Sequence, residues 1–145
     1  MKLEHQHRLA ALRDEEIAML YQKRHIICAG AFDKDKLVAG VFLNTSQRYV
    51  QDYKKIFGGK KRLGMLRGLV TEKEYRREGL ATTLSGDGVG YAIQKDCDIV
   101  FCRIHPDSLE SIRIYQDVLE FDEHARIKNE HGDPRIIFAK DLDNI

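Results

Sequence analysis

The sequence predicts a mixed α/β (α+β) domain in which helices flank a central sheet. Two pairs of β-rich runs, the second near the end of the chain, each enclose a short polar turn, and a strand–helix–strand unit lies between the pairs. Paired runs around a polar turn are typical of antiparallel hairpins, whereas a strand–helix–strand unit places two strands in parallel. A sheet that combines both kinds of pairing needs helices to cover its apolar faces.

Each predicted element follows from its own hydrophobic spacing or turn residues. In chain order we expect one bent helix or two short ones over 5–21, strands over 26–32 and 37–43 (the second continuing as far as 50), a loop over 51–62, a strand over 63–71, a helix over 80–95, a strand over 99–104, a helix with Ile112, Tyr115, Val118 and Leu119 on one face, and a hairpin of HARIK and PRIIFAK.

Three glycines fall inside the predicted helix over 80–95, at Gly86, Gly88 and Gly90. Each costs roughly 1 kcal/mol relative to alanine in a helix interior, so we expect a structural reason for them. Gly86 and Gly90 lie four residues apart and share one helical face. We expect that face to pack closely against the sheet or a bound cofactor.

Length and composition narrow the class of protein. The 145 residues suit one domain over 1–145, and the net charge of +1 supplies no field for nucleic acid or an anionic membrane. No apolar run approaches the roughly 20 residues of a membrane helix, and the first residues do not resemble a secretory signal. Three cysteines without a CxxC pair predict neither a metal site nor a disulfide framework, and indicate a cytoplasmic setting.

The segment over 51–62 is locally basic and is broken by Gly58 and Gly59. Its cations are Lys54, Lys55, Lys60, Lys61 and Arg62. We interpret it either as a solvated connection or as a rim that attracts an acidic substrate or partner. A nucleic-acid-binding module built on this segment ranks last, because few aromatic residues interleave its charges.

The most informative segment joins the end of a predicted strand at Thr71 to the start of the long helix. Arg76 and Arg77 precede Gly79, and the helix begins at Leu80. Glycine permits close approach of a ligand or a positive φ, and the first N–H groups of a helix have no intrahelical partners. Together with the helix dipole they form an anion site that would suit a pyrophosphate. An ordinary structural turn is the alternative interpretation.

Two motifs carry a family resemblance. VTEKEYRREGLATTL resembles the acyl-CoA signature Gln/Arg-x-x-Gly-x-Gly/Ala of the GCN5-related N-acetyltransferase (GNAT) superfamily, here Arg76-x-x-Gly79-x-Ala81. SLESIRIYQDVLEF is similar to the family's Asn-x-x-Ala-x-x-x-Tyr segment followed by Gly-Phe. In that segment Ser108, Ser111, Tyr115 and Phe121 take the Asn, Ala, Tyr and Phe places. Both motifs stand in the family's order, within a resemblance that covers about 26–140.

The resemblance implies a GNAT-like acyl-CoA N-acyltransferase fold and acetyl-CoA as the donor. An acetyl group would pass to a primary amine by direct attack in a ternary complex. Pantetheine would pair with the strand before the signature, and the pyrophosphate would lie on the amides that follow it. The implied cofactor-binding residues are Leu69, Val70, Thr71, Arg76, Arg77, Glu78, Gly79, Leu80, Ala81, Thr82, Ser108 and Ser111.

The resemblance also suggests catalytic residues. Tyr115 is the candidate acid for the departing thiolate, since a phenol with a pKa near 10 is a proton donor at neutral pH. The alternative is that Tyr115 only packs on its helix. The family's strand glutamate falls near Met65, so His105 is the best candidate base, with Asp107 and Glu72 as weaker ones. Proton loss through water is equally compatible with the sequence.

A second class of function stays open, a non-catalytic acyl-CoA-binding or regulatory domain of the same fold. It would keep the phosphate site without needing Tyr115 or a route for protons. For an enzyme, the acceptor could be a small-molecule amine or a peptide amine. The sequence leaves open whether two copies associate as a homodimer.

Overall fold

The computed structural model describes residues 25–34, 36–68 and 79–143. The predicted helix over 5–21 and the last residues of the strand over 63–71 lie outside these ranges. The described elements are β1 (Ile26–Asp33), β2 (Lys36–Asn44), a 3₁₀ helix (Gln51–Phe57), β3 (Leu63–Gly68), α1 (Leu80–Gln94), β4 (Ile99–Ile104), α2 (Leu109–Ile112), a π-helical segment (Arg113–Val118), β5 (Asp122–Lys128) and β6 (Pro134–Asp141).

The six described strands form one mixed sheet in the order β1-β2-β3-β4-β6-β5. β3 and β4 pair in parallel and the other neighbours pair antiparallel. Both predicted hairpins and the parallel pair around α1 are therefore confirmed. The parallel register runs from Leu63 opposite Ile99 to Leu66 opposite Cys102, whereas the strands continue to Gly68 and Ile104. The two strands thus separate at their carboxyl ends.

Side chains of the sheet enter two separate apolar layers. On β4, Val100, Cys102 and Ile104 pack on the face that α1 covers, which we call the helix-side core. Phe101 points the other way, into a smaller layer that we call the opposite core. This alternation follows from the two-residue period of a strand, and it explains why the central strand is apolar on both faces.

The predicted loop over 51–62 is partly wrong, because its first seven residues form the 3₁₀ helix. Phe57 is buried and the ring of Tyr53 lies 4.9 Å from that of Phe101, so this helix covers the opposite core. Apolar contacts offset the weaker hydrogen bonding of a short 3₁₀ helix. Gly58 and Gly59 follow with φ of 87° and 88°, which accounts for the break in regular structure. The preceding strand ends at Asn44 rather than at residue 50.

The predicted face of the helix after residue 108 needs one correction. Ile114 and Tyr115 are buried, whereas Val118 is 46% exposed. The helix changes to π geometry at Arg113, and the wider turn rotates later residues away from the expected 3.6-residue spacing. The N–H of Phe121 then bonds the carbonyl of Tyr115 at 2.8 Å, which brings the Phe121 ring under the helix.

The prediction that Gly86 and Gly90 pack against the sheet is wrong, whereas packing against a bound cofactor stays a prediction. Side-chain carbons built at Gly86 and Gly90 would have no neighbour within 4 Å among the described residues, so this face does not contact the described sheet. Gly88 is the one whose added carbon would collide with a methyl carbon of Leu66. The absence of a side chain at Gly88 therefore permits α1 to lie close to β3.

Candidate active site

The beginning of α1 presents backbone N–H groups without intrahelical acceptors. Gly79 has a φ of 78°, the left-handed conformation that glycine adopts without strain, and α1 begins at the next residue. The first intrahelical bond runs from the N–H of Thr83 to the carbonyl of Gly79 at 2.9 Å. The N–H groups of Leu80, Ala81 and Thr82 precede that bond, and no side chain of a described residue caps this helix end. The N-terminus of α1 can therefore hold an anion.

This helix end opens on a cleft of about 1010 Å³. Met65 and Leu66 of β3 line it, as do Cys102 and Ile104 of β4, so it lies where the parallel strands separate. Because Met65 belongs to the opposite core and Leu66 to the helix-side core, the cleft reaches both faces of the sheet. Two substrates could therefore enter from opposite sides and meet between the strands.

The side chain of Tyr115 lies at the helix-side wall of this cleft. Its hydroxyl is 3.1 Å from Oγ of Ser85 on α1, and both side chains are buried. The ring packs edge-on against Phe121, with 5.2 Å between centroids. Burial, together with neighbouring Cys102, raises the pKa of Tyr115 well above its usual range, and the hydrogen bond to Ser85 opposes this shift only in part. The phenol therefore retains its proton at neutral pH and is available as a donor.

The imidazole of His105 lies at the same cleft and is 40% exposed. Its Nδ1 accepts the backbone N–H of Asp107 at 3.0 Å. In the neutral ring the other nitrogen, Nε2, then carries the proton. For His105 to take a proton from an amine, Nδ1 would first have to release the N–H of Asp107.

The remaining candidate residues divide into those at the cleft and those outside the described ranges. Gly79, Leu80, Ala81, Thr82, Ser108 and Ser111 all line the cleft. Ser108 precedes α2, and its carbonyl accepts the N–H of Ile112 at 3.0 Å. Outside the described residues lie Leu69, Val70, Thr71, Glu72, Arg76, Arg77 and Glu78.

The fold also brings to the cleft residues that sequence reasoning did not identify. Among them are Arg67, Ser85, Arg103, Arg113 and Arg135. Ser85 could have been found from helical spacing, since it faces inward near the start of α1. Arg67, Arg103 and Arg135 share one face through strand pairing alone, which no local motif reveals.

Two features are absent from the part of the chain that the structure describes. No three His, Cys, Asp or Glu side chains lie close enough together to hold a metal ion. Likewise, no described helix is long and apolar enough to cross a membrane.

Comparisons with known proteins agree with this geometry. The model of the acetyltransferase (GNAT) family matches residues 2–121. A search of curated protein sequences finds no significant match. The fold is similar to ribosomal-protein-S5-alanine acetyltransferase from Vibrio fischeri, with a TM-score of 0.69 and 13% identity over 89% of this chain and 68% of that one.

Two further solved structures share the fold. Ribosomal-protein-alanine N-acetyltransferase from Brucella melitensis has a TM-score of 0.67 and 14% identity over 91% of this chain and 78% of that one. NAA60 of Arabidopsis thaliana, solved with acetyl-CoA, has a TM-score of 0.61 and 18% identity over 82% of this chain and 77% of that one. Because the family model spans most of the sequence and the sheet has the same architecture, the chain belongs to the GNAT acetyltransferase family.

Proposed function

We propose that this protein is an N-acetyltransferase that moves an acetyl group from acetyl-CoA to a primary amine within a ternary complex. The observation that carries this proposal is the uncapped N-terminus of α1 opening on a cleft between separating parallel strands. Membership of the family and the acetyl-CoA complex of a protein with the same fold support the choice of donor.

The residues at the start of α1 suit the diphosphate of coenzyme A. Gly79 has no side chain to block the approach, and the N–H groups of Leu80, Ala81 and Thr82 come before the first intrahelical bond. No acidic residue lies in the first turn of the helix to repel an anion. The pantetheine arm would then extend along the cleft, past Ser108 and Ser111, towards Tyr115.

Chemistry then requires one new bond, one broken bond and two proton movements. The nitrogen of the neutral amine bonds to the acetyl carbonyl carbon, and the carbon–sulfur bond breaks as coenzyme A leaves. Tyr115 gives its phenolic proton to the departing sulfur, so coenzyme A leaves as the thiol rather than as the thiolate. In this role Ser85 donates its hydrogen bond to Tyr115, leaving the phenolic proton free for the sulfur. The proton lost by the amine returns to Tyr115 through solvent.

Before it can attack, the acceptor amine must change from its ammonium form to the neutral amine, and in this scheme water takes that proton. Met65 occupies the strand position where a carboxylate base was sought, and Nδ1 of His105 already accepts the N–H of Asp107. His105 is the next candidate, acting at Nδ1 once that bond opens. Because the side chain of His105 is partly exposed, water can reach this part of the cleft directly.

Coenzyme A binding at α1 can be tested with two glycines of equal backbone strain. Gly79 and Gly132 have φ of 78° and 80°, and an added side-chain carbon at either position would have no described residue within 4 Å. Gly79→Val and Gly132→Val should therefore lose similar stability. Coenzyme A should raise the melting temperature of wild type and of Gly132→Val, because it binds only folded protein, and should leave Gly79→Val unshifted. Equal shifts in both variants would remove the N-terminus of α1 from the binding site.

A further inference from the structure

Three arginines, Arg67, Arg103 and Arg135, lie on neighbouring strands at the end of the sheet where β3 and β4 separate. They belong to β3, β4 and β6, which are adjacent in that order. Each lies two residues from a side chain of the opposite core, so strand alternation directs all three to the face away from α1. All three line the cleft.

One member of this group, Arg103, contacts a neighbouring aromatic side chain. The guanidinium of Arg103 lies over the ring of Tyr53, 5.8 Å from its centroid, and that ring in turn packs on Phe101. The pKa of Glu130 is lowered, first by a backbone hydrogen bond and then by nearby cations that include Arg103 and Arg135. Both guanidinium groups therefore lie close enough to Glu130 to favour its charged form.

The cleft is positively charged although the whole chain is nearly neutral. In the described ranges no salt bridge joins Arg67, Arg103 or Arg135 to a carboxylate. Arg113 lines the cleft as well. The described carboxylates that line the cleft are those of Asp107 and Glu110. Four guanidinium groups thus line the cleft with two carboxylates, and the exposed carboxylate of Glu130 lies near Arg103 and Arg135, so cations remain in excess. Such a group suits an anion, since the planar guanidinium binds carboxylate or phosphate through paired N–H donors.

We propose that the acceptor is an amine that also carries a carboxylate or phosphate group, and that Arg67, Arg103 and Arg135 bind this anion. The assignment rests on the proposed acetyl transfer and adds the class of acceptor. The donor's diphosphate has its own site at the N-terminus of α1, on the other face of the sheet. An anionic acceptor held on the arginine face would bring its amine to the gap between β3 and β4, where the acetyl group arrives.

The test uses amine acceptors that differ in whether they carry an anionic group. Suitable pairs are β-alanine with β-alaninamide, O-phosphoethanolamine with ethanolamine, and C-terminally amidated tripeptides with Glu or Gln at the second residue. Binding to the enzyme–coenzyme A complex is measured by calorimetry at low salt, and kcat/KM by thiol release from acetyl-CoA. A hydrogen bond to a charged group contributes about 1.5–3 kcal/mol, so the anionic member should bind roughly 10- to 100-fold more tightly.

Variants then show which residues cause the preference for the anionic acceptor. Arg103→Gln and Arg135→Gln should each lower the ratio between anionic and neutral acceptors several-fold, and Arg103→Lys should restore part of it. Lys55→Gln removes the same charge from the exposed 3₁₀ helix and should leave the ratio unchanged. If Lys55→Gln alone loses the preference, the anion site lies on the basic segment and the proposal is wrong.

Three other outcomes would overturn the proposal that these arginines bind an anionic acceptor. They are a wild-type ratio near one, a ratio that survives both arginine substitutions, and a coenzyme A affinity that falls in Arg103→Gln as much as acceptor affinity does. The binding measurement does not need chemistry. Protein that binds the anionic member preferentially through these arginines, yet releases no thiol, would support the anion site and contradict acetyl transfer.

Discussion

Replacing Tyr115 with Phe removes one oxygen atom from the cleft and leaves the ring in its packing against Phe121. The lost hydroxyl is 3.1 Å from Oγ of Ser85, and both groups are buried. Ser85 would lose this partner, which should lower the free energy of unfolding by about 1–3 kcal/mol. A domain of this size can tolerate such a loss and still be folded at room temperature.

The effect on acetyl transfer should be larger than the effect on stability. A positioned general acid contributes roughly 10²–10⁴-fold, equivalent to about 3–5 kcal/mol of barrier. Single-turnover thiol release should therefore fall by that factor in Tyr115→Phe, while the coenzyme A-induced shift in melting temperature persists. Tyr49→Phe is the matched control, since Tyr49 is 52% exposed and does not line the cleft.

Steady-state rates alone would not decide the matter, because product release can mask a slower chemical step. Ser85→Ala provides a second check. It leaves the phenol in place but removes the donor that orients it, so its rate should lie between wild type and Tyr115→Phe. An unchanged single-turnover rate in intact Tyr115→Phe protein would show that Tyr115 is a packing residue and would refute the assignment of the acid.

Three further predictions concern α1, His105 and alkaline pH. Gly88→Ala should lower the free energy of unfolding in urea titrations by about 1–3 kcal/mol, because the added methyl group would clash with Leu66. Gly90→Ala should raise that free energy by up to about 1 kcal/mol, and a stabilised Gly88→Ala variant would refute the packing argument. His105→Gln should slow single turnover less than 10-fold if water takes the amine proton, and a loss above about 100-fold would make His105 the base. Burial raises the pKa of folded Tyr115, so the unfolded chain loses this proton first as pH rises above about 10; stability should fall there, less steeply in Tyr115→Phe, and equal slopes would contradict the burial of the phenol.

Local patterns predicted most of the described sheet. β4 was predicted with its bounds unchanged, since its apolar run is short, β-rich and followed by a polar turn. The 3₁₀ helix was missed because its charged residues dominate the pattern, and only contact with Phe101 shows why Tyr53 and Phe57 turn inward. Val118 was misplaced because the change to π geometry at Arg113 leaves no mark in hydrophobic spacing.

The candidate site was predictable only where a motif is contiguous. Gly79 and the first turn of α1 could be recognised from helix-end chemistry, and Tyr115 from its place in a second motif. The proximity of Ser85 to Tyr115 depends on tertiary packing, and that of Arg103 to Arg135 on the pairing of β4 with β6, between elements far apart in the chain. Likewise, Gly88 rather than Gly90 meets the sheet because of how α1 is rotated on β3.

The central claim is acetyl transfer, and its most direct measurement follows both products together. Wild-type protein would be incubated with acetyl-CoA and a panel of small amines, amino acids and short peptides, and free thiol and N-acetylated amine would be counted over time. We expect thiol release to require an amine and to match the acetylated amine one to one. Thiol release no faster than hydrolysis without enzyme, with every amine and with coenzyme A demonstrably bound, would contradict acetyl transfer and leave an acyl-CoA-binding domain.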